Sequence, residues 1–122
     1  MTAEEKVWQL IQRLTEKTDQ GAVVWEATAA QNTFQTSFPQ YSVRIVDLDN
    51  QDYRSPQYIL EMLDGNGNVI ERLDDVDIQN SVPMETIVVR KTMHDLYRAA
   101  RRHAMGVDSA LDSLLSELEK AS

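Results

Sequence analysis

The sequence predicts an α+β domain: an N-terminal helix, an antiparallel meander of four to five strands, and a C-terminal helix broken or bent at Gly106. Three observations predict it. Val7, Leu10, Ile11 and Leu14 recur at i, i+3, i+4 and i+7 behind a Thr2 to Glu5 capping-box spacing. From Ala22 to Leu73 the apolar period changes to two, interrupted by short turn signals. Near the end, Met93, Tyr97, Ala100, Ala104, Val107, Leu111, Leu114 and Leu118 follow a heptad spacing.

The first helix is expected over residues 3 to 18, with Gly21 ending it and Trp8 at the edge of its apolar stripe, about 100° from Val7. Strand one follows from the alternation of Val23, Trp25 and Ala27 with Val24, Glu26 and Thr28. Residues 33 to 38 and 41 to 45 form strands two and three, joined at Pro39 and Gln40. Near Val46 and Leu48 both faces become apolar, the mark of a bulge or a covered edge. Residues 49 to 56 are polar and aperiodic, hence a loop. Tyr58, Leu60 and Met62 define strand four, and Asp64-Gly65-Asn66-Gly67 turns the chain into strand five over residues 68 to 73, because glycine and asparagine tolerate positive φ. Connections this short suit antiparallel neighbours, since parallel pairing needs long crossovers.

Pro83 suits a first helical turn, so a helix is expected from about there. Thr86, Ile87, Val88 and Val89 favour a strand on propensity, whereas Met84, Ile87, Val88, Met93, Leu96 and Tyr97 are spaced as a helical face. The heptad seam implies one long helix, but Arg101, Arg102, His103 and Gly106 read as a stop, and Ser109 to Asp112 as a restart. The stop and start signals outweigh a seam of fewer than four heptads. On that reading residues 93 to 104 cover the sheet, and Val107, Leu111, Leu114 and Leu118 form a separate stripe.

The chain has 122 residues, no cysteine and a net charge of −8. That length supports one core without disulfide or metal staples, and the lack of cysteine removes thiol catalysis and thiolate metal sites. The first residues hold no basic region followed by an apolar run, and no stretch is long enough to span a bilayer, so a cytoplasmic protein without a membrane partner is expected. Residues 47 to 85 hold ten of the twenty acidic residues against Arg54 and Arg72 alone, so an acidic half and a basic half could meet across a homodimer. The overall acidity disfavours nonspecific nucleic-acid binding. The exception is a basic patch of Arg90, Lys91, Arg98, Arg101 and Arg102, which as alternating charge on a helix reads first as a solvated face.

Candidate chemistry is sparse. Asp64, Asn66, Asn68 and Asp75 have the spacing of calcium-loop ligands, but Val69 stands where the turn needs glycine and Asp75 where a bidentate glutamate belongs, so the segment reads as a hairpin. Glu71, Asp74, Asp75 and Asp77 could hold a divalent metal or perform acid/base work, although nothing in the sequence fixes their geometry, and a solvated acidic loop is the simpler reading. His94 and His103 are nine residues apart, half a turn out of phase on a helix, and cannot share a metal from one face. No nucleophile elbow, phosphate loop or dinucleotide fingerprint occurs. Trp25, Phe34, Phe38, Tyr41 and Tyr58 could stack bases, but without interleaved basic residues they read as sheet core.

The wording Leu96-Tyr97-x-x-Ala100-Arg101-Arg102-x-Ala104-x-Gly106-Val107-Asp108-x-Ala110-Leu111-Asp112-x-Leu114-Leu115-x-Glu117-Leu118 resembles the C-terminal stretch of a group of small uncharacterised bacterial proteins. Trp25-Glu26-x-Thr28 and Asn32-Thr33-Phe34-x-Thr36 are similar to their first strands. The resemblance implies a small standalone domain, and carries no activity or functional residue with it.

The expected function is a noncatalytic protein-interaction or regulatory domain without a cofactor, partnered by a second copy of itself or by another protein. Its contact surface is the stripe of Val107, Leu111, Leu114 and Leu118, or a sheet edge. A small-molecule or metal-dependent enzyme built on the Glu71 to Asp77 carboxylates is the alternative, and a nucleic-acid-associated regulator using the Arg90 to Arg102 patch the third.

Overall fold

A computed structural model describes residues 1–83 and 86–121. The order is α1 (Ala3–Asp19), β1 (Glu26–Ala27), β2 (Thr33–Ser37), β3 (Ser42–Asp47), β4 (Tyr58–Leu63), β5 (Val69–Asp74), α2 (Asp75–Ser81), α3 (Thr86–Ala104) and α4 (Val107–Lys120). The five strands form one antiparallel sheet in sequential order, the α+β meander that the periodicities predict. Among the described residues no helix is long and apolar enough to cross a membrane.

Helix α1 starts at the Thr2 capping box, where Glu5 N donates to Thr2 Oγ1 and Thr2 N to Glu5 Oε1. Its buried face is Val7, Trp8, Ile11 and Leu14, continued by Thr18. The Thr18 hydroxyl donates to Leu14 O at 2.6 Å and accepts from Trp25 Nε1 at 2.9 Å. That bond satisfies the indole N–H inside the core and ties the end of α1 to the approach of β1. Strand β1 is accordingly much shorter than the alternation from Val23 implies: Trp25 turns inward ahead of it, and only Glu26 and Ala27 pair with β2.

The register aligns Phe34, Ile45, Leu60 and Leu73 across β2 to β5 on the face covered by α1 and α3. On the opposite face Glu26, Gln35, Arg44, Glu61 and Arg72 stand in one cross-strand row, with Arg44 Nε donating to Gln35 Oε1 at 2.8 Å. Opposite charge on directly opposed residues is favourable in a sheet, and the row is flanked on the same face by the buried Ile59 and Leu63. The irregularity expected near Val46 is not a bulge in β3. Val46 stands on the outer face between Thr33 and Ile59, and the register shift falls instead at Met62 and Leu63 opposite Ile70.

Two corrections concern aromatic and helical residues. Trp25, Phe34 and Tyr58 are core, but Phe38 and Tyr41 are exposed at the β2–β3 turn, because β2 ends at Ser37. In α3 the buried face runs through Val89, Met93, Leu96, Tyr97 and Ala100, so residues 86 to 89 are helical and Val88 points outward; Met84 and the side chain of Ile87 lie outside the described residues.

The acidic stretch after β5 is not a solvated loop. Asp74 caps α2: Asp77 N donates to Asp74 Oδ1 at 2.7 Å and Asp74 N to Asp77 Oδ2 at 3.2 Å, while Ile78 is fully buried. Asp75, only 2% exposed, is the hub of this end of the molecule. Its Oδ1 accepts from Gln57 N at 2.7 Å and Tyr58 N at 3.0 Å, and its Oδ2 from Arg90 Nε at 2.7 Å. The same guanidinium donates to Tyr53 O at 2.6 Å and Ser55 O at 3.2 Å, fastening the loop of residues 48–57 to α3. A buried carboxylate is tolerated only with such compensation, and its position in the first turn of α2 adds a favourable helix dipole. We predict that Asp75→Ala, which strands the Arg90 charge and two backbone N–H groups, lowers folding stability by about 3–5 kcal/mol, measured as a shift in the urea midpoint.

Candidate functional site

The most exposed apolar surface is α4. Its 14 residues include no buried side chain, and it meets the rest of the chain chiefly through α3. Leu111, Leu114, Leu115 and Leu118 are 48, 60, 60 and 68% exposed, and Val107 is half-buried at the junction. At about 100° per residue these five lie within an arc of about 100° on the helix surface. The stripe foreseen from the heptad thus gains Leu115, a position the seam omits because it lies one residue beyond the strict spacing.

Gly106 separates α4 from α3. Met105 N bonds to Arg101 O at 2.9 Å and Gly106 N to His103 O at 3.3 Å, closing α3; Gly106 then takes φ +64°, and Ala110 N bonds to its carbonyl at 3.0 Å, opening α4. A left-handed φ is nearly free for glycine and costs other L-residues. The break at Gly106 is therefore where the stop signal places it, but the restart is not. Helix α4 begins at Val107 without a side-chain cap, so Ser109 lies in its first turn and does not initiate it.

The five residues of the basic patch do not act together. Arg90 is committed to Asp75, Tyr53 and Ser55, and Lys91 pairs with Asp95 at 3.0 Å. Arg98, Arg101 and Arg102 are exposed on one side of α3 and make no ion pair among the described residues. Arg101 also lines a groove of about 420 Å³ with Phe34, Tyr97 and Met105, between the β1–β2 loop and the C-terminal end of α3. Sequence reasoning names these arginines without this groove, which depends on the packing of α3 over β2.

The carboxylates proposed for chemistry are dispersed. Glu71 shares the face of Met62 and lines the groove between α1 and β5, Asp74 and Asp77 hold each other across the start of α2, and Asp75 is consumed by its three donors. The Asp64 segment is a hairpin: Asp64 Oδ1 accepts from Asn66 N and Asn68 N, bonds that lower the Asp64 pKa, and Gly67 takes φ +84°. His94 and His103 do not converge. His94 Nδ1 is bonded to Tyr58 Oη, while His103 is exposed in the last turn of α3. Among the described residues no group of three or more His, Asp or Glu is arranged to hold a metal ion.

The Tyr58–His94 pair borders a cavity of about 360 Å³ with Tyr53, Gln57, Arg90 and Lys91. Desolvation, then the nearby Asp47 charge, push the Tyr58 pKa up from 10.0 to about 12.

This molecule is thus an α+β domain with a one-sided antiparallel sheet and an uncovered amphipathic C-terminal helix. No family model, curated protein or solved structure matches the chain.

The Tyr58 shift has a definite sign. The folded state holds the proton more tightly than the unfolded chain, so its contribution to stability is complete below pH 10 and is lost as pH rises toward about 12. We predict that the urea midpoint of the native chain falls over that interval, and that Tyr58→Phe removes this part of the fall.

Proposed function

We propose that this chain is a noncatalytic protein-interaction domain that works as a homodimer through the apolar stripe of α4. One observation carries the reading: four leucines on one side of a 14-residue helix are each about half or more exposed, with no part of their own domain covering them. Contiguous apolar surface of this kind marks a contact site, because leaving it in water forfeits about 25 cal/mol per Å². The side chains that acid/base or metal chemistry would require are engaged elsewhere: Asp75 is neutralised by Arg90, and Asp74 and Asp77 cap α2. The hydrophobic stripe of α4 is exposed, and association is its direct use.

Size-exclusion chromatography with light scattering tests the reading. The native chain is expected at twice its 13.9 kDa mass at micromolar concentration. Leu111→Asp and Leu114→Asp should each give a monomer with a native circular dichroism spectrum, since neither leucine is part of the core, and a thermal midpoint that no longer depends on protein concentration. A native chain that is monomeric at these concentrations overturns the proposal.

A further inference from the structure

The charges beside the two exposed elements at the C-terminal end are segregated by sign. In α4, Asp108, Asp112 and Glu119 lie about 60–100° from Leu111 on the same side of the apolar stripe, forming a continuous acidic flank. Glu117 stands on the other side, and Lys120, the one cation of α4, is on the back of the helix about 180° from Leu111, where it pairs with Glu117. In α3, Arg101 and Arg98 lie about 80° and 140° from Met93, the centre of its buried face, and so form a basic flank, of which Arg101 lines the groove with Met105 and Arg98 stands further around the helix.

We infer that the occupant of this groove is α4 of a second copy of the chain, laid against the C-terminal end of α3 with its leucines on the exposed Met105, Ala27 and Ala30, which line the groove together with the buried Phe34 and Tyr97, and its Asp108–Asp112 flank against Arg98 and Arg101. The inference rests on the homodimer proposed above and specifies which surfaces meet. Charge decides between this arrangement and direct pairing of the two α4 helices. An antiparallel α4 pair sets Asp108, Asp112 and Glu119 against the same three residues, and a parallel pair sets them against Glu117. Neither brings a cation into the contact, and like-charge juxtaposition across an interface is costly. Docking on α3 instead gives each acidic flank a basic one, and the exchange is reciprocal, as a two-fold interface requires. The lengths agree, since α4 spans about 21 Å and α3 offers more. The chain's own α4 leaves the groove open, because it departs from α3 at the left-handed Gly106.

Two charge-reversed chains test the arrangement, Asp108→Arg/Asp112→Arg and Arg98→Glu/Arg101→Glu. Every substituted position is exposed, and circular dichroism checks that each variant folds. Each alone should dimerise at least about tenfold more weakly than the native chain, while an equimolar mixture should recover native affinity as a heterodimer, because both exchanged contacts are then complementary. Native dimers should also weaken at about 1 M salt, where the Debye length is about 3 Å. If the arginine variant dimerises as the native chain does and the aspartate variant dimerises more tightly, α4 pairs with α4, and the inference fails while the homodimer stands. If the native chain is monomeric, the homodimer itself fails.

Discussion

The buried carboxylate of Asp75 is the constraint on which one end of the molecule is built. A charge that is 2% exposed survives only if its lone pairs are filled, and the donors come from two distant parts of the chain, the Gln57–Tyr58 backbone and the Arg90 guanidinium, while the start of α2 adds a favourable dipole. Satisfying it sets where β4 begins, draws the loop of residues 48–57 onto α3 through Tyr53 O and Ser55 O, and fixes the rotation of α3 about its axis. With Arg90 held there, Met93, Leu96 and Tyr97 are buried against the core, and Arg101 lines the groove at the far end. A single ion pair thus connects the acidic segment to the orientation of the basic helix.

The left-handed turn at Gly106 explains why α4 is left uncovered, since it directs α4 away from the core that α1 and α3 complete. Phe34, Ile45, Leu60 and Leu73 join the core of α1 and α3, while the other face carries the polar row from Glu26 to Arg72, with Ile59 and Leu63 buried beside it. The leucines of α4 then face solvent or another molecule, and it is this exposure that the proposed homodimer draws on.

Much of this was legible in the residues. The Thr2 capping box, the period-two runs and the glycine–asparagine turn at residues 65–67 correspond to α1, β2 to β5 and the β4–β5 hairpin, because each is enforced by neighbours in the chain. Helix α2 was concealed. Its Asp74-x-x-Asp77 spacing is a capping signal, but three acidic residues in four positions also describe a solvated loop, and only the distant Arg90 makes burial of Asp75 affordable. Phe38 and Tyr41 misled for the opposite reason: aromatic residues in an alternating run read as core, yet the strand ends one residue before Phe38. The stripe at Val107, Leu111, Leu114 and Leu118 was visible as periodicity, whereas the groove beside Arg101 required β2 and α3 to be brought together.

Local chemistry is what the sequence determined by itself: the class of fold, the order of its elements apart from α2, the break at Gly106 where only glycine takes the left-handed φ cheaply, and the apolar stripe beyond it. Those properties depend on residues a few positions apart, so the chain encodes them directly. The tertiary structure decided everything that depends on long-range partners. It turned an acidic run into a buried hub, removed Arg90 from the basic patch by neutralising it, and left α4 without cover. The reason is the same in each case: whether a charge or an apolar side chain is solvated is a property of what packs against it, and packing is settled only when segments distant in sequence meet.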